Sequence, residues 1–234
     1  MPGPARPPRS ADPVAVSSVD RISCADEFAE DERLLRAGVP SVRAVVVAGR
    51  ALSYGAGVRE DAGFVVRARA EGIPTVRRAS GGTGVLHEDG DLAWSVVLPR
   101  EHPAVGRGFV RAYDRLGAGV VDFLARHRVA AVWLSAPGLS DDCCVLSGRG
   151  RVLAVGSRIL GGAAQHLTRS TLLHQGMIAR AVDRDTNGRL FALRGSDALE
   201  RLAGLEDVGV AGPPAVLARE LAEALAHAFA ATAA

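Results

Sequence analysis

The chain has 234 residues, 48% of them apolar and 23% charged, with a net charge of +2. That length and composition suit one folded domain with a sizeable core and exclude a disordered or fibrous chain. The small net charge gives no case for nucleic acid, no apolar run reaches the length of a membrane helix, and Cys24, Cys143 and Cys144 make neither a disulfide framework nor, with the histidines, a metal-ligand spacing.

The Pro/Arg-rich start, Met1 to Arg9, lacks the apolar core of a signal peptide. It predicts a disordered tail over residues 1–20, a single domain over 21–234 and a cytoplasmic protein. Asp26 to Gly38 opens with acids, closes on Arg36 and stops at a glycine, the pattern of a helix. Strands follow at 42–47 and 51–55, then a short helix over 60–71 and a strand near Ile73. The apolar run 92–98 is a further strand. Residues 110–126 carry apolar side chains at helical spacing, and 130–134 is a strand. Cys143–Leu146 and Arg151–Val155 are expected to pair around Ser147–Gly150. Two helices, 196–204 and 214–230, close the chain. This order makes the fold class α+β, a single mixed-sheet domain flanked by helices.

Between the strands near Ile73 and Leu92 lies Arg77-Arg78-Ala79-Ser80-Gly81-Gly82-Thr83-Gly84-Val85-Leu86-His87. Arginines bind phosphate or carboxylate through a planar fork of donors, and glycines let the backbone approach a ligand closely. A glycine loop between two strands is neither a Walker A loop nor a dinucleotide fingerprint. The residues together suggest an anion cradle. Adjacent strand residues face opposite ways, so one of Arg77 and Arg78 reaches inward while the other packs outward.

This loop, followed by Glu88-Asp89-Gly90-Asp91-Leu92, resembles the R-R-x-S-G-G-G-x-V-x-H-D-x-G-N-L signature of the lipoate–protein ligase and octanoyltransferase family, which shares the catalytic domain of biotin–protein ligases. Val155 to Gln165 is similar to that family's G-x-K-I-x-G-S-A-Q segment, and Leu173 to Ile178 to its Q-H-G-S-I-L. The three motifs stand in the family order, and the likeness runs from about Asp26 to the C-terminus.

The resemblance implies the biotin/lipoate ligase catalytic fold and an acyl ligase. Such an enzyme activates a lipoate-like or medium-chain carboxylic acid with ATP and Mg²⁺ and passes the acyl group to an amine, commonly a lysine of a carrier protein. Octanoyl transfer from an acyl carrier, or acyl or nucleotide binding without catalysis, are the alternatives. The implied binding residues are Arg78, Ser80, Gly81, Gly82, Thr83, His87, Asp91, Gly161, Gly162, Ala163 and His174, with no metal ligands. His87 would mostly hold the loop, and Asp91 would face a ribose or cap the turn.

The family's lysine, which bonds the acyl carbonyl and adenylate phosphate, is Arg158 here. Arginine can stabilise negative charge but cannot take a proton, so Arg158 is the expected catalytic residue of an adenylate chemistry. Some members form a thioester on a cysteine upstream of that motif. Anchored on Ala136-Pro137 the position falls near Trp133, which is not a cysteine, and on an exposed strand one of Cys143 and Cys144 would face the core. All 28 basic residues are arginines. A GC-rich coding bias accounts for that, although an enzyme handling reactive acyl groups would also avoid acylating itself by lacking side-chain amines.

Overall fold

In the computed structural model, residues 14–105, 109–193 and 196–230 are described. Ten strands in them form two sheets. The larger has the order β1 (Ala15–Ile22), β2 (Ser41–Val47), β6 (Leu92–Pro99), β10 (Thr171–Ile178), β9 (Arg158–Leu167), β8 (Arg151–Val155) and β7 (Val132–Ser135). Its β1–β2 pair is parallel and the other pairs are antiparallel. The smaller sheet sets β3 (Ala51–Tyr54) between β4 (Thr75–Arg77) and β5 (Gly84–His87).

Strand alternation decides which helix covers which face. Val42, Ala44 and Val46 of β2 and Leu92, Trp94, Val96 and Leu98 of β6 pack into the main core with α3 (Phe109–Arg126) and α6 (Pro214–Ala230). The intervening residues Val45, Val47 and Ala93 pack instead on Cys24 and Phe28 of α1 (Cys24–Ala37). With both faces covered, β2 and β6 are buried along their whole length and are apolar almost throughout, as doubly covered strands require. The smaller sheet has its own core, where Leu52, Tyr54 and Leu86 meet Phe64, Val65 and Ala68 of α2 (Gly63–Ala70).

α1 is capped as its sequence asks. The Ser23 hydroxyl accepts from the Asp26 amide, and Gly38 ends the helix at φ 65. Two expectations change. The N-terminal tail does not extend to residue 20, because β1 runs from Ala15 and pairs with β2; residues 1–13 lie outside the described residues. Nor do Cys143–Leu146 and Arg151–Val155 form a hairpin. Ser140 Oγ accepts from the Asp142 and Cys143 amides, and Cys144–Leu146 closes into a 3-10 turn, so β8 pairs with β7 and β9. The two later family-like motifs form β9 and β10, and α4 (Arg184–Leu190) lies between β10 and α5 (Ser196–Arg201).

Candidate active site

A cleft of about 540 Å³, partly open to solvent, lies where the α1-covered face of the large sheet meets the small sheet and the Cys144 turn. Gly162, Ala164, Gln175 and Met177 of β9 and β10 line it, facing Ser53 and His87 of the small sheet, Glu27 and Phe28 of α1, and Arg78 and Cys144.

The glycine loop leaves β4 with Arg77 outside and Arg78 inside. Arg77 stacks on Tyr54 and bonds Glu60 and the Ala56 carbonyl. Arg78 is 4% exposed and donates to Ser53 Oγ at 3.1 Å, the Gly81 carbonyl at 2.9 Å and the Thr83 carbonyl at 3.0 Å. Its Nη2 also lies 3.8 Å from Cys144 Sγ. All its protein partners are neutral or a thiol, and burial pushes its guanidinium below the usual arginine value. A buried cation without a carboxylate partner attracts any anion that forms or binds beside it.

Gly82 makes this approach possible. It sits at φ 93, and a Cβ there would come within 2.7 Å of Cys144 Sγ and 2.8 Å of Arg78 Nη2. Only glycine combines that backbone with that clearance. The two cysteines divide between environments. Cys143 packs in the small-sheet core, where burial pushes its thiol up to about 12. Cys144 is half-buried and lines the cleft. The expectation that one of the pair faces the core is met by Cys143, although a turn rather than a strand carries the pair. Trp133, where the anchoring had placed the upstream cysteine, donates to the Gly117 carbonyl of α3, away from the cleft.

His87 stands against Ser53, Oγ to Nε2 at 2.8 Å, with Nδ1 unpartnered. Burial, then the Arg78 charge, holds its pKa down at about 3, so it is neutral. Ser80 and Thr83 keep buried, unpartnered hydroxyls in the loop, while Gly81 is exposed.

Of the residues proposed from the motifs, Arg78, His87, Gly162 and Ala163 line the cleft. Others do not. Asp91 is buried and accepts from the Glu88 and Arg180 amides, capping its turn, so of its two expected roles the geometry supports the cap. Gly161 borders a neighbouring cavity, and a Cβ on it would collide with the Met177 carbonyl. His174 lies on the opposite face of β10, against Trp94 and Tyr113 with Gln165 on Nδ1.

Arg158 needs the plainest correction. It is exposed and donates to the Asp207 carbonyl at 2.7 Å, outside the cleft. The reason is a β-bulge: Leu153 pairs with Gly161 but Ala154 with Ile159, so Leu160 is an extra residue. Without it Arg158 would share a face with Gly162 and Ala164; one inserted residue turns it over.

Sequence reasoning missed Cys144, Glu27 and Gln175. Glu27 and Asp31 carried a visible signal: they occupy the same helical stripe as Phe28, Leu34 and Leu35, where acids are out of place.

The chain matches the lipoyl protein ligase A/B catalytic domain model over residues 40–209. It belongs to that family. Octanoyltransferase LipM of Macrococcus caseolyticus is 29% identical over 145 residues, 58% of this chain and 52% of the relative. LipM of Exiguobacterium sibiricum is 32% identical over 135 residues, 53% and 47% respectively. The chain thus spans about half the length of these curated relatives. A lipoate-protein ligase A crystallised with ATP superposes with a TM-score of 0.70 at 21% identity, covering 94% of this chain and 85% of the ligase. A bipartite lipoate protein ligase studied with its E2 lipoyl domain, from Thermoplasma acidophilum, gives 0.65 at 21% identity over 94% and 84%. These structural likenesses carry the fold, a mixed α+β ligase-type domain. Among the described residues no helix is long and apolar enough to cross a membrane, and no group of three His, Cys, Asp or Glu side chains is placed to hold a metal.

ATP fits the arrangement poorly. Arg158, which the motif resemblance sets at the family's lysine, is held on the far side of the β9 bulge. No step below is routed through ATP or Mg²⁺.

Proposed function

We propose that the chain is an acyltransferase which takes a medium-chain acyl group from a carrier thioester onto Cys144 and passes it to an amine, typically a lysine of a lipoyl-type carrier domain. The carrying observation is Cys144 Sγ in the cleft, 3.8 Å from a buried arginine that has no carboxylate partner. The octanoyltransferase relatives support the same reading.

The chemistry is two exchanges. The Cys144 thiolate attacks the acyl carbonyl; a C–S bond to Cys144 forms as the C–S bond to the carrier breaks, and the carrier thiol takes up the proton that Cys144 gave to solvent. The acceptor amine then attacks the acyl-Cys144 carbonyl. A C–N bond forms, the Cys144 C–S bond breaks, and the amine proton returns to the sulfur. Each step places negative charge on the carbonyl oxygen, where the fixed Arg78 donors stabilise it. Thioester energy drives the sequence, so Arg158 has no task in it.

The test compares two acyl sources for octanoylation of a lipoyl domain: an octanoyl thioester on a carrier without ATP, and octanoate with ATP and Mg²⁺. Product is expected from the thioester alone and is expected to vanish with Cys144→Ala. Product from octanoate and ATP, or undiminished transfer by Cys144→Ala, would overturn the proposal in favour of a ligase.

A further inference from the structure

One end of the cleft is polar for a pocket meant to hold a hydrocarbon chain. Gln175 is 5% exposed and lines the cleft, yet its Oε1 has no hydrogen-bond partner. Its strand partner is Ser95, and directly opposed residues of an antiparallel pair share a face. Ser95 Oγ donates to Asp31 Oδ1 at 2.6 Å, and Arg43 donates to the same oxygen at 2.7 Å. Among the described residues, the Asp31 carboxyl takes its remaining hydrogen bond from the Glu27 carboxyl. Beside Asp31, one helical turn back, Glu27 is 3% exposed and also lines the cleft.

Arg43 and Ser95 serve one Asp31 oxygen and Glu27 bonds the Asp31 carboxyl, so the second Glu27 oxygen and the Gln175 amide remain for whatever fills the cleft. Burial and the neighbouring Asp31 push the Glu27 carboxyl well above the usual carboxylate range, against the pull of Arg43. In the neutral form it donates to Asp31 and keeps its second oxygen as an acceptor.

This end is set back from the reacting sulfur. Val145, next to Cys144, lies beside Gly162, which pairs with Met177. Gln175 is two residues further along β10, a step of roughly 7 Å. It therefore meets the body or tail of an acyl chain whose carbonyl is at Cys144. A saturated chain would seal the Gln175 oxygen away from water unpaired, whereas a hydroxyl held between Glu27 and Gln175 can donate to one of their acceptor oxygens.

We propose that Glu27 and Gln175 form a specificity subsite for a hydroxyl on the acyl chain, so that the preferred substrate is a hydroxy-substituted medium-chain acyl thioester rather than the plain saturated one. The proposal rests on the acyl-transfer reading above.

The experiment uses octanoyl-pantetheine and a series of hydroxyoctanoyl-pantetheines with the hydroxyl at successive carbons, following the loading of Cys144 by intact mass. At least one isomer is expected to load with kcat/KM roughly tenfold above octanoyl-pantetheine, the worth of one or two neutral hydrogen bonds. Gln175→Met and Glu27→Met should each bring that ratio toward one. If no isomer exceeds octanoyl-pantetheine, or if both variants keep the wild-type ratio, the subsite is refuted while acyl transfer stands. Calorimetric binding of octanoic and hydroxyoctanoic acids to the Cys144→Ala protein gives a second readout free of chemistry. Failure of every thioester to load Cys144 sinks the transfer reading, and the calorimetry then still decides the subsite. Tighter binding of a hydroxy acid supports it, and equal binding of all the acids overturns it.

Discussion

Arg78 joins the loop to the reaction. Three of its bonds, to Ser53 and to the Gly81 and Thr83 carbonyls, tie the loop to the small sheet, and its fourth neighbour is the Cys144 sulfur. Lysine at this position keeps the charge but not the planar fork that reaches carbonyls and sulfur together. Arg78→Lys is therefore expected to lower kcat/KM for thioester-dependent transfer by about 10²-fold, the scale of one lost oxyanion donor, with the circular dichroism spectrum unchanged. A wild-type rate in that variant would contradict the role given to Arg78. That one of Arg77 and Arg78 turns inward was legible from strand alternation, and the motif resemblance pointed to Arg78. Cys144 was not, because the Cys143-Cys144 pair reads as a strand until the Ser140 hydroxyl is seen bending the chain into a turn.

β9 and β10 show how far a single inserted residue reaches. The bulge at Leu160 removes Arg158 from the cleft while Gly162 and Ala164 stay in it, and no residue type in Arg158-Ile159-Leu160-Gly161-Gly162 announces that break in the period of two. On the covered face of β10, His174 lies between Trp94 and Tyr113, fully buried, and burial holds its pKa at about 3. An unfolded histidine titrates near 6.5. The folded value is depressed, so the neutral ring contributes stability above pH 6.5 that is lost as the pH falls from 6.5 toward 3. Relative to His174→Gln, which has nothing to titrate, the wild type should lose about 2 kcal/mol between pH 6.5 and pH 5. Urea unfolding of both proteins at the two pH values measures this; a pH-independent difference would mean that His174 is not held neutral. The wild type alone cannot report it, because burial raises Asp91 to about 7 and its contribution runs the opposite way.

At the scale of the whole molecule, the two covered faces of β2 and β6 were largely written in the sequence. The apolar runs of β2 and β6, the capped α1 and the helical spacing of α3 all appear where their patterns place them. What the patterns do not contain is the meeting of the two sheets, since the cleft is lined by Arg78, Cys144 and Glu27 from segments far apart in the chain. The cleft, its polar end and its thiol exist only once those segments fold together. The whole transfer depends on Cys144 carrying the acyl group. Intact-mass spectrometry after incubation with octanoyl-pantetheine, without ATP or acceptor, tests it most directly. The wild type should gain one octanoyl group, Cys144→Ala should gain none, and adding a lipoyl domain should discharge the adduct onto that domain. An unmodified wild type, or an adduct that persists in Cys144→Ala, would contradict the claim.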